Sequence, residues 1–390
     1  MDRPFPEVRV SARGAARIRA QHPWVFRDDV APPGGNAAGG LVRVRSESGA
    51  PLGWAFRSAS SKIALRMVSR EEEPPGAEFW DARVEEAIRH RDQVVHDTDA
   101  CRLLFGESDG IPGLVADRYG VHVVVQALTA GAEGVLPTVI EAISARARTD
   151  SVLARNDPAV RSLEGLPREV VQLRGTTPAL IEVREGPVRY LADPWRGQKT
   201  GAFLDQRENR LAAADYARGS VLDVFSYHGS FALHAARRAL RVEAVDSSAE
   251  ALARAKENAA LNGLSNVTFR EGNAFDDLRE RHRRGESYDE VLLDPPAFAK
   301  SRADVAAAKR GYKEINLRAM QILAPRGVLV TSSCSYNLSE EEWLDVLSAA
   351  AADARRSFRI VERRTQSRDH PIRLGFPESR YLKCAVLSLA

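Results

Sequence analysis

The last 200 residues carry the short apolar runs SVLDVFS, RVEAVD, NVTFREG, DEVLLDPP and GVLVTSS, and most of them alternate with segments of helical spacing. Strands that are apolar on both sides are buried on both faces, as in a parallel sheet covered by helices. The pattern predicts an α/β layer that places its ligands at the carboxyl ends of the strands.

The rest of the chain reads differently. Residues 1–70 give short strands broken by turns (LVRVRS, APLGWAF, SKIALRMVS), with the glycine-rich run APPGGNAAGG between elements, and predict a small barrel or sandwich. EEEPPGA at 71–77 is an acidic, proline-broken joint, and FWDARVEEAIRHRDQVVH after it has helical spacing. Strands and one helix then follow to about residue 190. The expected domains are therefore 1–72, 73–190 and 191–390.

With 390 residues, 44% of them hydrophobic and 28% charged, the chain can bury several cores and is not a disordered polymer. No run approaches the ~20 apolar residues that span a bilayer, and the first residues hold no apolar secretory core. Three cysteines without a CxxC pair argue against a disulfide framework or a metal site and for a reducing, cytoplasmic setting. The net charge of +3 is uneven, because residues 1–70 are strongly basic and the remainder slightly acidic. A basic module on a near-neutral body suits a nucleic-acid enzyme, although a solvated arginine face has the same composition.

In VLDVFSYHGSFALHAARRAL, Asp223 stands at a strand end and a helix starts near Gly229. Asp246 ends the next strand, in VEAVDSS. A turn that admits a ligand to a helix start, with an acid on the second strand for ribose hydroxyls, suits a nucleoside. Ser247 and Glu250 have the spacing of a capping box, and Gly263 is a helix stop. There is no GxGxxG: Ser226 and Ser230 stand where glycines would. DEVLLDPPAF delivers Asp294, Pro295, Pro296 and Phe298 at a strand end, a stiff slot with one acid, suited to a planar base. A plain strand-ending turn is the alternative.

This series, with Asn273 in EGNAF, resembles the motifs of class I S-adenosylmethionine-dependent methyltransferases. The whole chain resembles the RlmI-like ribosomal RNA large-subunit methyltransferase family. GAARIRAQHPWVF resembles the opening of their RNA-binding PUA domain, FGESDGIPGLVADRYG their central domain, and GQKTGAFLDQRENR and DHPIRLGFPESRYLK stretches of their catalytic half. The resemblance implies a PUA-like β-barrel, an α+β central domain and a Rossmann-like methyltransferase domain. S-adenosyl-L-methionine would be the cofactor, 23S ribosomal RNA the partner, and a homodimer the assembly. It puts Asp223, Ser226 and Gly229 under the methionine end, Asp246 on the ribose and Asn273, often Asp in the family, at the adenine amino group. Lys199, Asp205, Gln206 and Arg207 match a strand-and-turn leading into the pocket, with Arg207 as a partner for the cofactor carboxylate; surface pairing would explain the same residues.

The buried strand VLVTSS ends in Cys334, between serines, with Tyr336 next and a helix expected after Ser339. Cys101 and Cys384 read as core. Carbon 5 of a pyrimidine is a poor nucleophile until a thiolate adds to carbon 6, so a thiol at this rim suits carbon-5 methylation of cytosine, with Asp294 at nitrogen 3. Ser-Cys-Ser also resembles the family's carbon-5 cytosine enzymes. Phe298 and Tyr336 are candidates to stack on an extruded base, and either could instead be core packing. Lys300, Lys309, Arg310 and Lys313 could meet phosphates or form a solvated helix face. Asp369 and His370 could border the pocket or make structural hydrogen bonds. Two competing functions stay open: an amino-group methyltransferase acting on guanine or adenine, with Cys334 as packing, and a catalytically silent RNA-binding protein.

Overall fold

A computed structural model describes residues 5–31, 39–299 and 301–390. The chain forms two compact units that do not follow its order. The first takes Met1–Val183, Ala192–Leu204 and Arg368–Ser379; the second takes Arg184–Leu191, Asp205–Ser367 and Arg380–Ala390. No helix among the described residues is long and apolar enough to cross a membrane.

The first unit opens with β1 (Glu7–Val10), α1 (Ala12–Arg19), β2 (Trp24–Phe26), β3 (Leu41–Ser46), β4 (Pro51–Arg57) and β5 (Ile63–Ser69). These strands run in the order β1-β3-β4-β5-β2, and a bridge from Val10 to Val30 joins the two edges, closing the sheet toward a barrel. In LVRVRS every second residue, Val42, Val44 and Ser46, is buried, as the pleat of a half-covered strand requires. Next come α2 (Ala77–Val94), β6 (Ala100–Phe105), β7 (Leu114–Tyr119), β8 (His122–Ala127), α3 (Ala130–Arg146), β9 (Ser151–Asn156) and β10 (Glu169–Arg174), which form a second sheet in the order β10-β9-β8-β7-β6 with both helices packed together. Phe56 of β4 stacks on Trp80 of α2 with ring centroids 5.7 Å apart. A Cβ on Gly131 would run into the Phe56 ring, so only glycine lets α3 come this close.

Buried polar groups bring the two later segments back to this unit. The Thr200 hydroxyl donates to Asp117 at 2.6 Å, and Arg155 donates to the carbonyl oxygens of Pro194 and Gly197. Asp369 accepts the Arg102 backbone N–H at 2.9 Å and sits 3.1 Å from His370 Nδ1, both residues being buried. Of the two readings of Asp369 and His370, the structural hydrogen bond is the one observed.

The second unit is the α/β layer. Its strands are β13 (Ser220–Val224), β14 (Arg241–Asp246), β15 (Val267–Glu271), β16 (Tyr288–Leu293), β17 (Leu323–Ser333), β18 (Phe358–Arg364) and β19 (Lys383–Leu389), preceded by the hairpin β11 (Ile181–Glu185) and β12 (Val188–Ala192). The seven strands run β15-β14-β13-β16-β17-β19-β18, with β13 through β17 parallel and β19 antiparallel to both neighbours. The helices are α4 (Arg207–Ala214), α5 (Ser230–Ala236), α6 (Ala249–Leu261), α7 (Ala274–Arg283), α8 (Val305–Gln321) and α9 (Glu340–Ala354). Two apolar clusters contain side chains from β13, β14, β16, β17 and β19; one also draws on α7, α8 and α9, the other on α5. Burial of each large side chain there contributes about 1.5–3 kcal/mol.

Local signals set the helix ends, with one shift. Ser339 and Glu342 form the capping box of α9, as its acidic first turn suggests. For α6 the cap is Ser248, whose hydroxyl accepts from Ala251 N–H, and not Ser247. The Asp246 carboxylate accepts the Ser248 N–H and so delays the helix by one residue.

Candidate active site

Four parallel strands, β14, β13, β16 and β17, end along one rim of the second unit, and the residues just past their ends gather there. After β13 the loop Phe225–Gly229 is tightly wound: Phe225 (φ 66°), Tyr227 (φ 49°) and Gly229 (φ 84°) are all left-handed. At Gly229 a Cβ would also stand 3.1 Å from that of Ala255. Such a conformation costs free energy at the two aromatic residues, of order 1–3 kcal/mol each. It folds the loop back on itself, with Gly229 N–H donating to Ser226 O. Asp246 anchors the loop by accepting the Tyr227 N–H at 2.8 Å. Ser226 Oγ is buried without a hydrogen-bond partner, a hydroxyl that a polar ligand group could satisfy.

Asp223 is buried, and one of its oxygens accepts the Ala232 N–H at 2.9 Å. Burial pushes its carboxyl up to about 8; the Ala232 bond opposes this, and the nearby Asp294 and Asp246 charges add to it. The rim is therefore a nest of carboxylates suited to a positively charged ligand.

Asn273 caps α7. Its Oδ1 accepts the Phe275 and Asp276 N–H groups at 3.0 and 3.3 Å, so the oxygen expected to meet an adenine amino group is engaged by the helix. The stretch before α4 is a 3-10 turn over Leu204–Gln206 rather than a strand. Arg207 is buried at the start of α4 with Glu208 3.6 Å away. Lys199, in the first unit, lies over the Phe203 ring. Gln206 meets Asp294: its Nε2 donates to Asp294 Oδ1 at 2.7 Å, and its Oε1 accepts from Asn209 at 2.6 Å. This relay fixes how the carboxylate faces the rim.

Asp294 follows β16, and Cys334 follows the adjacent parallel strand β17. The Cys334 thiol is half-buried and lies 4.0 Å from the Pro295 carbonyl oxygen, against the Asp-Pro-Pro turn. Pro295 is buried and Pro296 exposed. Phe298 is packed among Phe225, Phe275 and Tyr312, with centroids 4.7–6.4 Å away, so its ring belongs mainly to the core. Tyr336 is 52% exposed. Lys300 lies outside the described residues. Lys309 and Lys313 pair with Glu342 and Asp353 of α9, which makes them helix–helix ties.

One group at this rim escaped the sequence reading. Lys383 opens β19 and is buried, and its ammonium donates to the carbonyl oxygens of Ser335 and Leu338 at 2.8 and 2.9 Å. It clamps the turn that carries Cys334. Burial pulls its pKa down to about 8, against the opposing pull of Cys334 and Glu340. A lysine at the head of the apolar run KCAVLSL was the signal available.

Residues 8–70 match a PUA-like domain family, and residues 153–373 match the S-adenosylmethionine-dependent methyltransferase family. A ribosomal RNA large subunit methyltransferase I from Shewanella denitrificans is 39% identical over 94% of this chain and 95% of its own length. The protein of that name from Aeromonas hydrophila is 39% identical over 97% and 98%. Among solved structures, a candidate SAM-dependent methyltransferase from Streptococcus mutans superposes with a TM-score of 0.84 at 19% identity, covering 98% of this chain and 100% of that one, and so shares the fold.

Proposed function

We propose, from the premise that this chain belongs to the family of the ribosomal RNA large subunit methyltransferases I and uses S-adenosylmethionine, that it methylates carbon 5 of a cytosine in 23S ribosomal RNA through a covalent bond to Cys334. The observation that carries this reading is the half-buried Cys334 thiol set against the Asp294-Pro295 turn on the neighbouring strand.

The pocket residues fit the cofactor. Asp223 and its carboxylate neighbours would face its ammonium and sulfonium charges, Ser226 Oγ would find a partner, and Asp246 would accept from the ribose hydroxyls. Asn273 would present its amide hydrogens, since its oxygen caps α7. The bound cofactor supplies an activated methyl group, which carbon 5 of the base takes.

The chain's own residues prepare that carbon. The Cys334 thiolate adds to carbon 6, forming a carbon–sulfur bond and leaving an enamine with electron density at carbon 5. Asp294, oriented by Gln206, hydrogen-bonds or protonates nitrogen 3 and makes carbon 6 more electrophilic. Loss of the carbon-5 proton to solvent water after methylation restores the double bond as the carbon–sulfur bond breaks and the thiolate leaves. Lys383 is a positioning residue, holding the Ser335–Leu338 turn and adding positive charge near the sulfur. Tyr336, being open to solvent, is better placed than Phe298 to stack on an extruded base.

The test is nucleoside mass spectrometry of 23S ribosomal RNA incubated with the cofactor and either wild-type protein or Cys334→Ser. Wild type is expected to yield 5-methylcytidine and the variant none. Methylation of an exocyclic amino group, or full activity of the variant, would overturn the reading.

A further inference from the structure

Within the first unit, the end of β5, the helix α2 and the turn at Ser108–Gly110 enclose, with the Pro371–Arg373 stretch, a cleft of about 620 Å3. Arg70, Arg83 and Arg373 line it. The Arg83 side chain lies across Gly110, where a Cβ would stand 3.3 Å from its Cδ and Nε, and that Nε is buried without a partner. Arg70 donates to the Ile18 carbonyl at 3.1 Å and Arg373 to the Glu107 carbonyl at 2.5 Å. Among the described residues, neither forms an ion pair with a carboxylate.

Glu71 at the cleft is exposed to solvent, and three further acids nearby are occupied. Asp109 is gripped by both terminal nitrogens of Arg91 at 2.7 and 2.8 Å, and Glu86 takes Arg83 at 3.1 Å. Glu107 is held by Arg66 and by the Trp24 indole, each at 2.7 Å. Desolvation and then the facing Arg373 hold Arg70 below its ordinary range. Arg373 is lowered by desolvation and then by Arg83, even against Glu107 and Asp109. A guanidinium does not shed its proton in a protein, so these like charges face one another until an anion comes between them. Planar forks that keep several donors match the oxygens of a phosphodiester.

We propose that this cleft is a second contact for the RNA substrate, in which Arg70, Arg83 and Arg373 hold backbone phosphodiesters. The proposal rests on the RNA reading of the function. Contacts of this kind position a substrate without reading its bases, so the cleft adds affinity and salt dependence but no sequence preference.

The test is the salt dependence of binding of a transcribed 23S ribosomal RNA fragment to the full-length protein. Each phosphate that a variant no longer neutralises lowers the slope of log affinity against log salt by about 0.7–0.9. Arg70→Gln with Arg373→Gln is expected to reduce the slope by about 1.5, and Arg83→Gln, made separately, by slightly less than one. S-adenosylmethionine affinity should stay at the wild-type value, and melting temperature should fall only by the loss of the Ile18 and Glu107 carbonyl contacts. Unchanged slopes in both proteins would overturn the proposal. So would inorganic phosphate raising the wild-type melting temperature while the RNA slopes of the variants stay the same, since the cleft would then hold only small anions. The RNA reading itself is judged separately, by whether wild type methylates the fragment.

Discussion

Glu185, on the hairpin strand β11, and Asp223, at the rim, are two carboxylates of the second unit buried to the same degree, each 1% exposed, and their surroundings treat them oppositely. Burial alone would raise both. Around Glu185, Arg210 at 2.6 and 2.7 Å and His234 at 3.0 Å reverse that effect and hold the carboxyl far below its usual range. Asp223 has one backbone N–H and two further carboxylates nearby, and rises to about 8. The first acid is finished within the protein; the second waits for a cation from outside. Cysteine shows the same contrast on two adjacent strands. Cys384 lies inside β19, where burial pushes its thiol up to about 12, while Cys334 is half-buried one residue beyond the end of β17. Chemistry sits where a polar group has been left for a ligand to complete.

The sharpest way to break this contrast is to exchange the two thiols for hydroxyls. Cys334→Ser should lower methyl transfer by a factor on the order of a thousand or more while leaving cofactor binding intact, as expected for loss of a covalent nucleophile. Cys384→Ser should keep its activity and lose about 1–3 kcal/mol of stability by burying a hydroxyl. Equal activity loss in both variants would erase the distinction.

Removing a partner should separate the two acids. Arg210→Met strands Glu185 as a buried charge and should cost about 3–5 kcal/mol in a denaturant melt. Asp223→Asn should not lower stability at neutral pH, and should weaken S-adenosylmethionine about ten- to a hundredfold in calorimetry, the worth of one charge-assisted contact. A large stability loss from Asp223→Asn with unchanged affinity would reverse their assigned roles.

Titration gives the smaller effects. A cation beside Asp223 requires its ionised form, so below pH 8 binding must release a proton. Cofactor affinity should rise several-fold between about pH 6 and 8 and level off above, with proton release visible in buffers of different ionisation heat; Asp223→Asn should flatten the curve. For the protein without cofactor the sign is opposite. The folded pKa lies above the unfolded value, so Asp223 adds stability that is complete below about pH 4 and is lost as pH rises through 8. Melting temperatures of wild type and Asp223→Asn should be alike near pH 4 and separate as pH rises through 8, wild type falling below the variant; parallel curves would exclude the effect.

The parts of this architecture legible in the sequence are those written locally. Apolar runs gave away the parallel strands, and strand-end acids together with the Ser-Cys-Ser turn marked the residues of the rim. Ser339 and Glu342 announced α9 within four positions. What stayed hidden depends on residues distant in the chain. Gln206 meets Asp294 across 88 positions and Lys383 meets Ser335 across 48, and no periodicity carries such pairings. Asn273 shows a related ambiguity: one amide oxygen can cap a helix or receive a ligand, and only the backbone geometry of α7 reveals the cap. The return of Ala192–Leu204 and Arg368–Ser379 to the first unit is likewise held by single buried contacts, such as Thr200 on Asp117, that no stretch of sequence displays by itself.

The most direct test is to trap the bond. RNA carrying 5-fluorocytidine at the modified site, incubated with protein and S-adenosylmethionine, should arrest the reaction after methylation, because carbon 5 then has no proton to lose. Peptide mass spectrometry is expected to find the methylated fluorocytidine attached to Cys334. Finding no adduct, or one on another residue, while the same preparation methylates unsubstituted RNA, would contradict the account.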